Sequence, residues 1–177
     1  LVYPRAGAFY TVFTKRTHHV GSHNGEVSLP GGGWEKRDRS LLETALRETH
    51  EELGIEPSTV RVLGELERVR TMGSNYLITP FVGYTELSPS FVAHQREVDT
   101  IIELPVARIA HPDVMRTEPM LIRGETRLVT YFVYEGHTIW GATARILRTF
   151  HEQLAQGSLV LPDGRPLRDI VLPPVAQ

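Results

Sequence analysis

Three carboxylates stand close together in Arg47-Glu48-Thr49-His50-Glu51-Glu52-Leu53-Gly54-Ile55. A helix turns about 100° per residue, so Glu48 and Glu52 stack about 40° apart around the axis, and Glu51 also reaches Glu48. Like charges at these spacings cost a few tenths of a kcal/mol per pair, and more when partly desolvated. Arg47 is the nearest basic residue, but consecutive helical residues do not face each other, which leaves it poorly placed to offset the charge. A divalent cation would offset it. Carboxylate oxygens are hard ligands that suit Mg²⁺ or Mn²⁺, and Mg²⁺ shares its shell with waters and substrate phosphates. For three glutamates alone, a solvated acidic face is the competing reading. The preceding Leu29-Pro30-Gly31-Gly32-Gly33 favours the chemical one. Unhindered backbone there can approach a ligand closely and offer it carbonyls or N–H groups.

The elements that must hold these residues are legible nearby. Ser40-x-x-Glu43 has the form of a capping box, with Ser40 at the N-cap and Glu43 at N3. Leu41, Ala45, Thr49 and Leu53 form an apolar stripe at helical spacing, flanked by Leu42 and Leu46. Gly54 is placed to end the helix in left-handed backbone, and Pro57 blocks continuation. Segments 7–16, 26–30, 60–70, 75–85 and 96–105 read as strands, and 18–25 as a polar loop. A short helix or turn covers 106–111. Two or three strands fill 120–140, with turns at Gly124 and Gly136. A second amphipathic helix covers 141–156, with Ala144, Ile146, Leu147, Phe150 and Leu154 inward; Trp140 and Phe150 read as core. The Pro-rich tail, 158–177, has the makings of an edge hairpin. Many strands with two good helices predict an α/β protein, a mixed sheet with helices packed on it.

Composition sets the outer bounds. A chain of 177 residues, 41% hydrophobic, predicts one domain over 1–177. Net charge is −2 with no long basic run, which gives nucleic acid and membrane surfaces little support as partners. Cysteine is absent, so disulfides and thiolate metal sites are excluded, and a cytoplasmic location is expected. No apolar run reaches the roughly 18 residues of a membrane span. The first residue is Leu, so a removed targeting segment upstream stays open.

The stretch from Gly31 to Ile55 resembles a Nudix box, here about residues 32–55. That pattern runs Gly, five residues, Glu, seven residues, Arg-Glu, apolar, any, Glu-Glu, any, Gly, apolar. Its second half is intact from Arg47 to Ile55, with Thr49 in place of the usual aliphatic. Gly33 takes the glycine position, and Arg39 stands where the first Glu belongs. Glu35 and Asp38 instead supply two acids three apart, as in the branch that resembles coenzyme A diphosphatases. Upstream, Thr14, Arg16, His23, Gly25, Pro30, Gly31 and Gly32 match that branch's signature, while Thr17, Leu29 and Gly21 replace its Ser, Phe and Arg. Segments 78–83, 97–109 and 139–147 are similar to it too, so the likeness spans about residues 10–150.

The resemblance implies a Nudix-type α/β/α sandwich that hydrolyses a diphosphate, a small-molecule substrate, with Mg²⁺ or Mn²⁺. Coenzyme A would give 3′,5′-ADP and 4′-phosphopantetheine. ADP-ribose or a dinucleotide as substrate, or a non-catalytic binding module, are the alternatives. It implies Glu48, Glu51 and Glu52 as metal ligands and Arg47 as a residue orienting them through a salt bridge. Glu97 is a candidate further ligand or base, or a plain strand-end Glu. Arg16, His23, Gly31, Gly32 and Gly33 are the expected substrate contacts. Trp34 stands to stack on a base or to cover the core edge.

Overall fold

A computed structural model describes residues 1–17, 25–72, 75–122 and 124–172. Most of the expected loop at 18–25, including His23, and the last residues of the tail lie outside them. In chain order the elements are β1 (Val2–Arg5), β2 (Ala8–Arg16), β3 (Val27–Ser28), α1 (Leu41–Leu53), β4 (Arg61–Glu65), β5 (Val69–Arg70), β6 (Leu77–Ile78) and β7 (Phe81–Tyr84). They continue with β8 (Val98–Pro105), β9 (Met115–Ile122), β10 (Glu125–Tyr134), β11 (His137–Ile139), α2 (Gly141–Gln156) and α3 (Arg168–Val171). Single 3₁₀ turns lie at Pro57–Thr59 and Val106–Arg108.

β2 is the strand everything else is referred to. One of its edges pairs with β1 over its first half and β3 over its second; β8 runs antiparallel along the other. β1 also pairs in parallel with β7, which pairs antiparallel with β4, giving a mixed six-stranded sheet. β1 is a strand the sequence expectation lacked. Ala6 and Gly7, at φ 48° and 79°, turn it directly into β2. Positive φ at both central residues gives the hairpin turn whose twist matches its strands.

Successive residues of β2 face opposite sides of the sheet. Val12 packs with Tyr3, Leu53 and Ile55 on one side. Phe13 packs with Ile102, Leu104, Leu147 and Phe150 on the other. The first side is closed by the end of α1 and the second by α2, so the layering is α/β/α. Fully burying each such apolar side chain contributes about 1.5–3 kcal/mol.

The inward face of α2 is the one expected: Ala144, Ile146, Leu147, Phe150 and Leu154 are buried. Trp140 is not core. It sits at the N-cap, outside the helix proper, with 55% of its surface exposed. Segments 60–70 and 75–85 each divide in two, because β5 and β6 leave the main sheet and pair with each other. The turns at Gly124 and Gly136 are as expected, both at positive φ, but the first hairpin begins earlier, at Met115. Among its described residues the tail makes one bridge, Val160 with Pro166, and then α3 rather than a full hairpin.

α1 starts and stops where its caps predict. Ser40 Oγ accepts the Glu43 N–H at 3.1 Å, and Gly54 ends the helix at φ 72°, donating to His50 O. The second arm of the capping box is displaced by one residue: the Glu43 carboxylate accepts the Arg39 N–H at 2.6 Å and pairs with its guanidinium. The expected stripe is corrected too. Leu53 is buried but Leu41 is 45% exposed, and the other buried positions are Thr44 and Glu52. Only the C-terminal end of α1 reaches the sheet; its first turns lie against the polar turn Glu35–Asp38 instead.

Candidate active site

The last two turns of α1 place Glu48 and Glu52 toward the glycine-rich segment. Glu52 is 6% exposed, and its carboxylate accepts the Gly31 N–H at 3.3 Å. Burial pushes its carboxyl up from an ordinary 4.5 to about 7. The Gly31 N–H and Arg16 pull it down, while Glu48 and Glu97 add to the rise. Glu48 is raised as well, again chiefly by burial, with Arg47 opposing. Thr49 replaces an aliphatic here without leaving an orphan hydroxyl, since it donates to Ala45 O at 2.7 Å.

Glu97 joins this pair from far along the chain. The segment before it is laid on the last turn of α1: Val92 N–H donates to Leu53 O at 2.8 Å and His94 N–H to Glu52 O at 3.0 Å. A turn then brings Glu97 N–H to His94 O at 2.9 Å, and Thr17 N–H donates to Glu97 O at 3.0 Å. Thr17 Oγ1 also donates to Arg96 O at 2.8 Å. Glu97 is therefore fixed between the end of β2 and the end of α1, and both Glu48 and Glu52 feel its charge. His94 Nδ1 lies 3.6 Å from its carboxylate.

Arg16 closes β2 just after a register shift between Lys15 and Arg16. Bulges of this kind re-aim a side chain. Arg16 is half-buried and acts electrostatically on Glu52, yet forms no ion pair among the described residues. Lys15 instead lies 4.0 Å from Asp99.

Glu51 faces a different setting. It is largely exposed and held by two guanidiniums, Arg37 at 2.9 Å and Arg47 at 2.9 Å. Arg47 also reaches Glu48 at 2.8 Å, which corrects the argument from helical facing. Neighbouring Cβ atoms do diverge, but the long, forked guanidinium spans the gap. The guanidinium is aimed by Asp38, through Nε–Oδ1 at 2.9 Å and Nη2–Oδ2 at 3.0 Å, and by Gly33 O at 3.1 Å. Asp38 in turn accepts from Thr44 Oγ1 and from the Glu35 N–H, each at 2.9 Å. The bond from Arg47, with those further donors, holds its carboxyl well below the usual range. Asp38 is thus the residue at the root of the carboxylate arrangement, and Arg37 a further neutralising group. The pair Glu35 and Asp38, three apart in a turn, was the visible signal of the former; nothing local marked the latter.

Gly32 explains why the loop carries no side chain. A Cβ there would overlap the carboxyl carbon and both oxygens of Glu48. Gly31 has a positive φ of 149° and presents its N–H to Glu52. Gly33 has open space around it and contributes its carbonyl. Gly32→Ala is expected to displace Glu48 and lower kcat about 10–100-fold, with Tm changed by only about 2 °C. Steady-state kinetics and thermal melting of the same preparation check this. Trp34 is 56% exposed and donates Nε1–H to Asp38 O at 3.0 Å. That bond pins the turn and leaves a ring face open.

Among the described residues no three carboxylates or imidazoles already converge into a cation cage. The donor set nonetheless has the chemistry for a hard divalent ion: Glu48, Glu52 and Glu97 carry carboxylate oxygens whose charges act on one another, and among the described residues no cationic side chain is bonded to Glu52. Ions that keep waters and take phosphate oxygens complete their shells without a full protein cage.

A family profile described as NUDIX domain matches residues 2–123. The chain is 37% identical over 145 residues to the protein named Uncharacterized Nudix hydrolase NudL of Escherichia coli (strain SMS-3-5 / SECEC), covering 81% of this chain and 74% of that one. It is 34% identical over 143 residues to the protein of the same name from Photorhabdus laumondii, covering 81% and 76%. Among solved structures, a MutT/nudix family protein from Enterococcus faecalis superposes with a TM-score of 0.54 at 15% identity, over 87% of this chain and 60% of that one. At that identity the likeness is one of fold.

Proposed function

The chain belongs to the Nudix family, hydrolases of nucleoside diphosphate derivatives, and on that premise we propose that it splits the diphosphate of coenzyme A or its derivatives into 3′,5′-ADP and 4′-phosphopantetheine. The observation that carries the site assignment is the desolvated pair Glu48 and Glu52, with Glu97 acting on both and Arg16, which forms no ion pair among the described residues, acting on Glu52. Glu48, Glu52 and Glu97 would hold Mg²⁺ or Mn²⁺, with Glu51 at the margin of the site. When bound, such an ion offsets diphosphate charge and activates the attacking water.

The chain's own residues do the rest. Arg16 draws in a diphosphate oxygen that the carboxylates alone would repel. The open backbone of Gly31–Gly33 lets the phosphates approach the helix. Arg47, aimed by Asp38, holds Glu48 in place and balances Glu51, so the cluster is set before substrate arrives. Glu97, with its fixed backbone and its own position at the strand end, is a base candidate that can take a proton from the attacking water. His23 remains a proposed substrate contact.

The preference for coenzyme A rests on the match of Thr14, Arg16, Gly25, Pro30, Gly31 and Gly32, and of Glu35 with Asp38, to the coenzyme A branch. Hydrolysis of a panel of coenzyme A, acyl-coenzyme A, ADP-ribose and diadenosine polyphosphates, with Mg²⁺ or Mn²⁺ and with chelator, tests it. We expect kcat/KM for coenzyme A or its thioesters to exceed that of the others at least about tenfold, and chelator to abolish turnover. Faster turnover of ADP-ribose or a dinucleotide would reassign the substrate. Binding without turnover of any member would leave a binding module.

A further inference from the structure

β9 and β10 form a hairpin whose outer half stands away from both cores. Its cross-strand pairs alternate between two unlike faces. One carries Tyr131 with Arg116, Val129 with Glu118, Arg127 with Met120 and Glu125 with Ile122. Its charges are matched within the hairpin: Arg127 pairs with Glu125 at 2.6 Å, and Arg116 and Glu118 act in opposite directions on Tyr131. The other face carries Thr130 with Thr117, Leu128 with Pro119 and Thr126 with Leu121, and bears no charge. The two threonine hydroxyls of its inner pair bond to each other at 3.0 Å. Leu121 and Leu128, each 76% exposed, lie on adjacent rungs of this face. The same face continues inward to Met115 and to Phe132, which is fully buried.

We propose that this uncharged face is the contact through which two copies of the chain associate. A surface that is apolar on one side only, and continuous with the core, is built to be covered. It is a flat ladder rather than a concavity, which suits a protein surface better than a small ligand. It offers no charge with which a different protein could be selected, whereas leucines and threonines complement their own two-fold copy. A lipid surface is disfavoured, since the flanking charges are balanced and the chain carries −2 overall. Six side chains of this size expose roughly 400–500 Å² per copy, so a symmetric pair buries at most about 800–1,000 Å², the size of a weak, concentration-dependent contact. Strand addition along β9 is not the mode, because Pro119 in that edge strand has no N–H to give. The faces pack across the two-fold axis instead.

Light scattering on a size-exclusion column, over a dilution series, reads the oligomeric state. The wild-type chain is expected to be a dimer at the concentrated end. Leu121→Glu combined with Leu128→Glu is expected to be a monomer with an unchanged circular dichroism spectrum, since both side chains are exposed. Arg127→Glu, on the charged face, is expected to remain a dimer. The chain has no cysteine, so Leu128→Cys gives a clean second readout: oxidation should yield a disulfide-linked dimer, and Arg127→Cys should not. A wild-type monomer throughout, a dimer that survives the double glutamate variant, or binding of phosphatidylcholine vesicles lost in that variant would each overturn the proposal.

Discussion

Glu52→Gln is expected to lower kcat on the order of 10³-fold, the scale of removing a preorganised charge aimed at the reacting centre. The amide keeps the shape and can still accept the Gly31 N–H, so the loss reports the charge and not the packing. The folded protein should not suffer. In the metal-free chain the Glu52 carboxyl is held at about 7 against an ordinary 4.5, which is a cost of folding at neutral pH. A raised pKa gives stability that is fully present below the unfolded value and lost as pH climbs through the folded one. The window is therefore about pH 4.5 to 7, and the loss across it is on the order of 3 kcal/mol. Denaturant unfolding in chelator at several pH values should show wild-type stability falling across that window relative to Glu52→Gln. Added divalent ion should stabilise wild type and leave the variant unmoved. Near-normal kcat in the variant would remove Glu52 from the chemistry. Parallel stability curves would remove the desolvation account.

Asp38→Ala is the second large effect, and it acts without touching substrate. Asp38 receives two bonds from Arg47, one from Thr44 and one from the Glu35 N–H. Truncation removes two of the bonds that aim the Arg47 guanidinium, leaving it to Glu48, Glu51 and Gly33 O, and strips the turn of its internal acceptor. Thr44 retains a second acceptor, Ser40 O at 3.2 Å, so the damage concentrates on Arg47. We expect kcat to fall about 10–100-fold, the scale seen when a group that orients a ligand is removed. Tm should fall by roughly 5–10 °C. Because the Asp38 carboxyl is held below its usual range, the stability it supplies is present above its unfolded pKa and is lost as pH falls through its folded one. The wild-type advantage over Asp38→Ala in Tm should therefore shrink on acidification. Asp38→Glu should recover part of the activity if orientation of Arg47 is the mechanism. A variant with normal kcat and lowered Tm would make Asp38 purely structural.

The ends of α1 could be read from single residues, because capping is settled within a few positions: Ser40 starts it and Gly54 stops it. Which face of α1 would be buried could not. The leucine stripe predicted Leu41 inward, yet the helix meets the sheet only at its far end, and Leu41 stays exposed. β1 was missed because its short run is ordinary in composition; its register with β2 comes from the Ala6–Gly7 turn. Trp140 was misread because exposure at a helix N-cap leaves no periodic trace.

For the site, the sequence alone determined that three glutamates crowd one stretch of helix beside side-chain-free backbone. Helical spacing is local geometry, independent of the rest of the chain. Tertiary structure decided what each glutamate experiences. It buried Glu52, handed Glu51 to two arginines, and brought in Glu97 from a segment bonded to the end of α1. Desolvation and pairing between distant residues depend on how loops close in space, and no spacing along the chain encodes that.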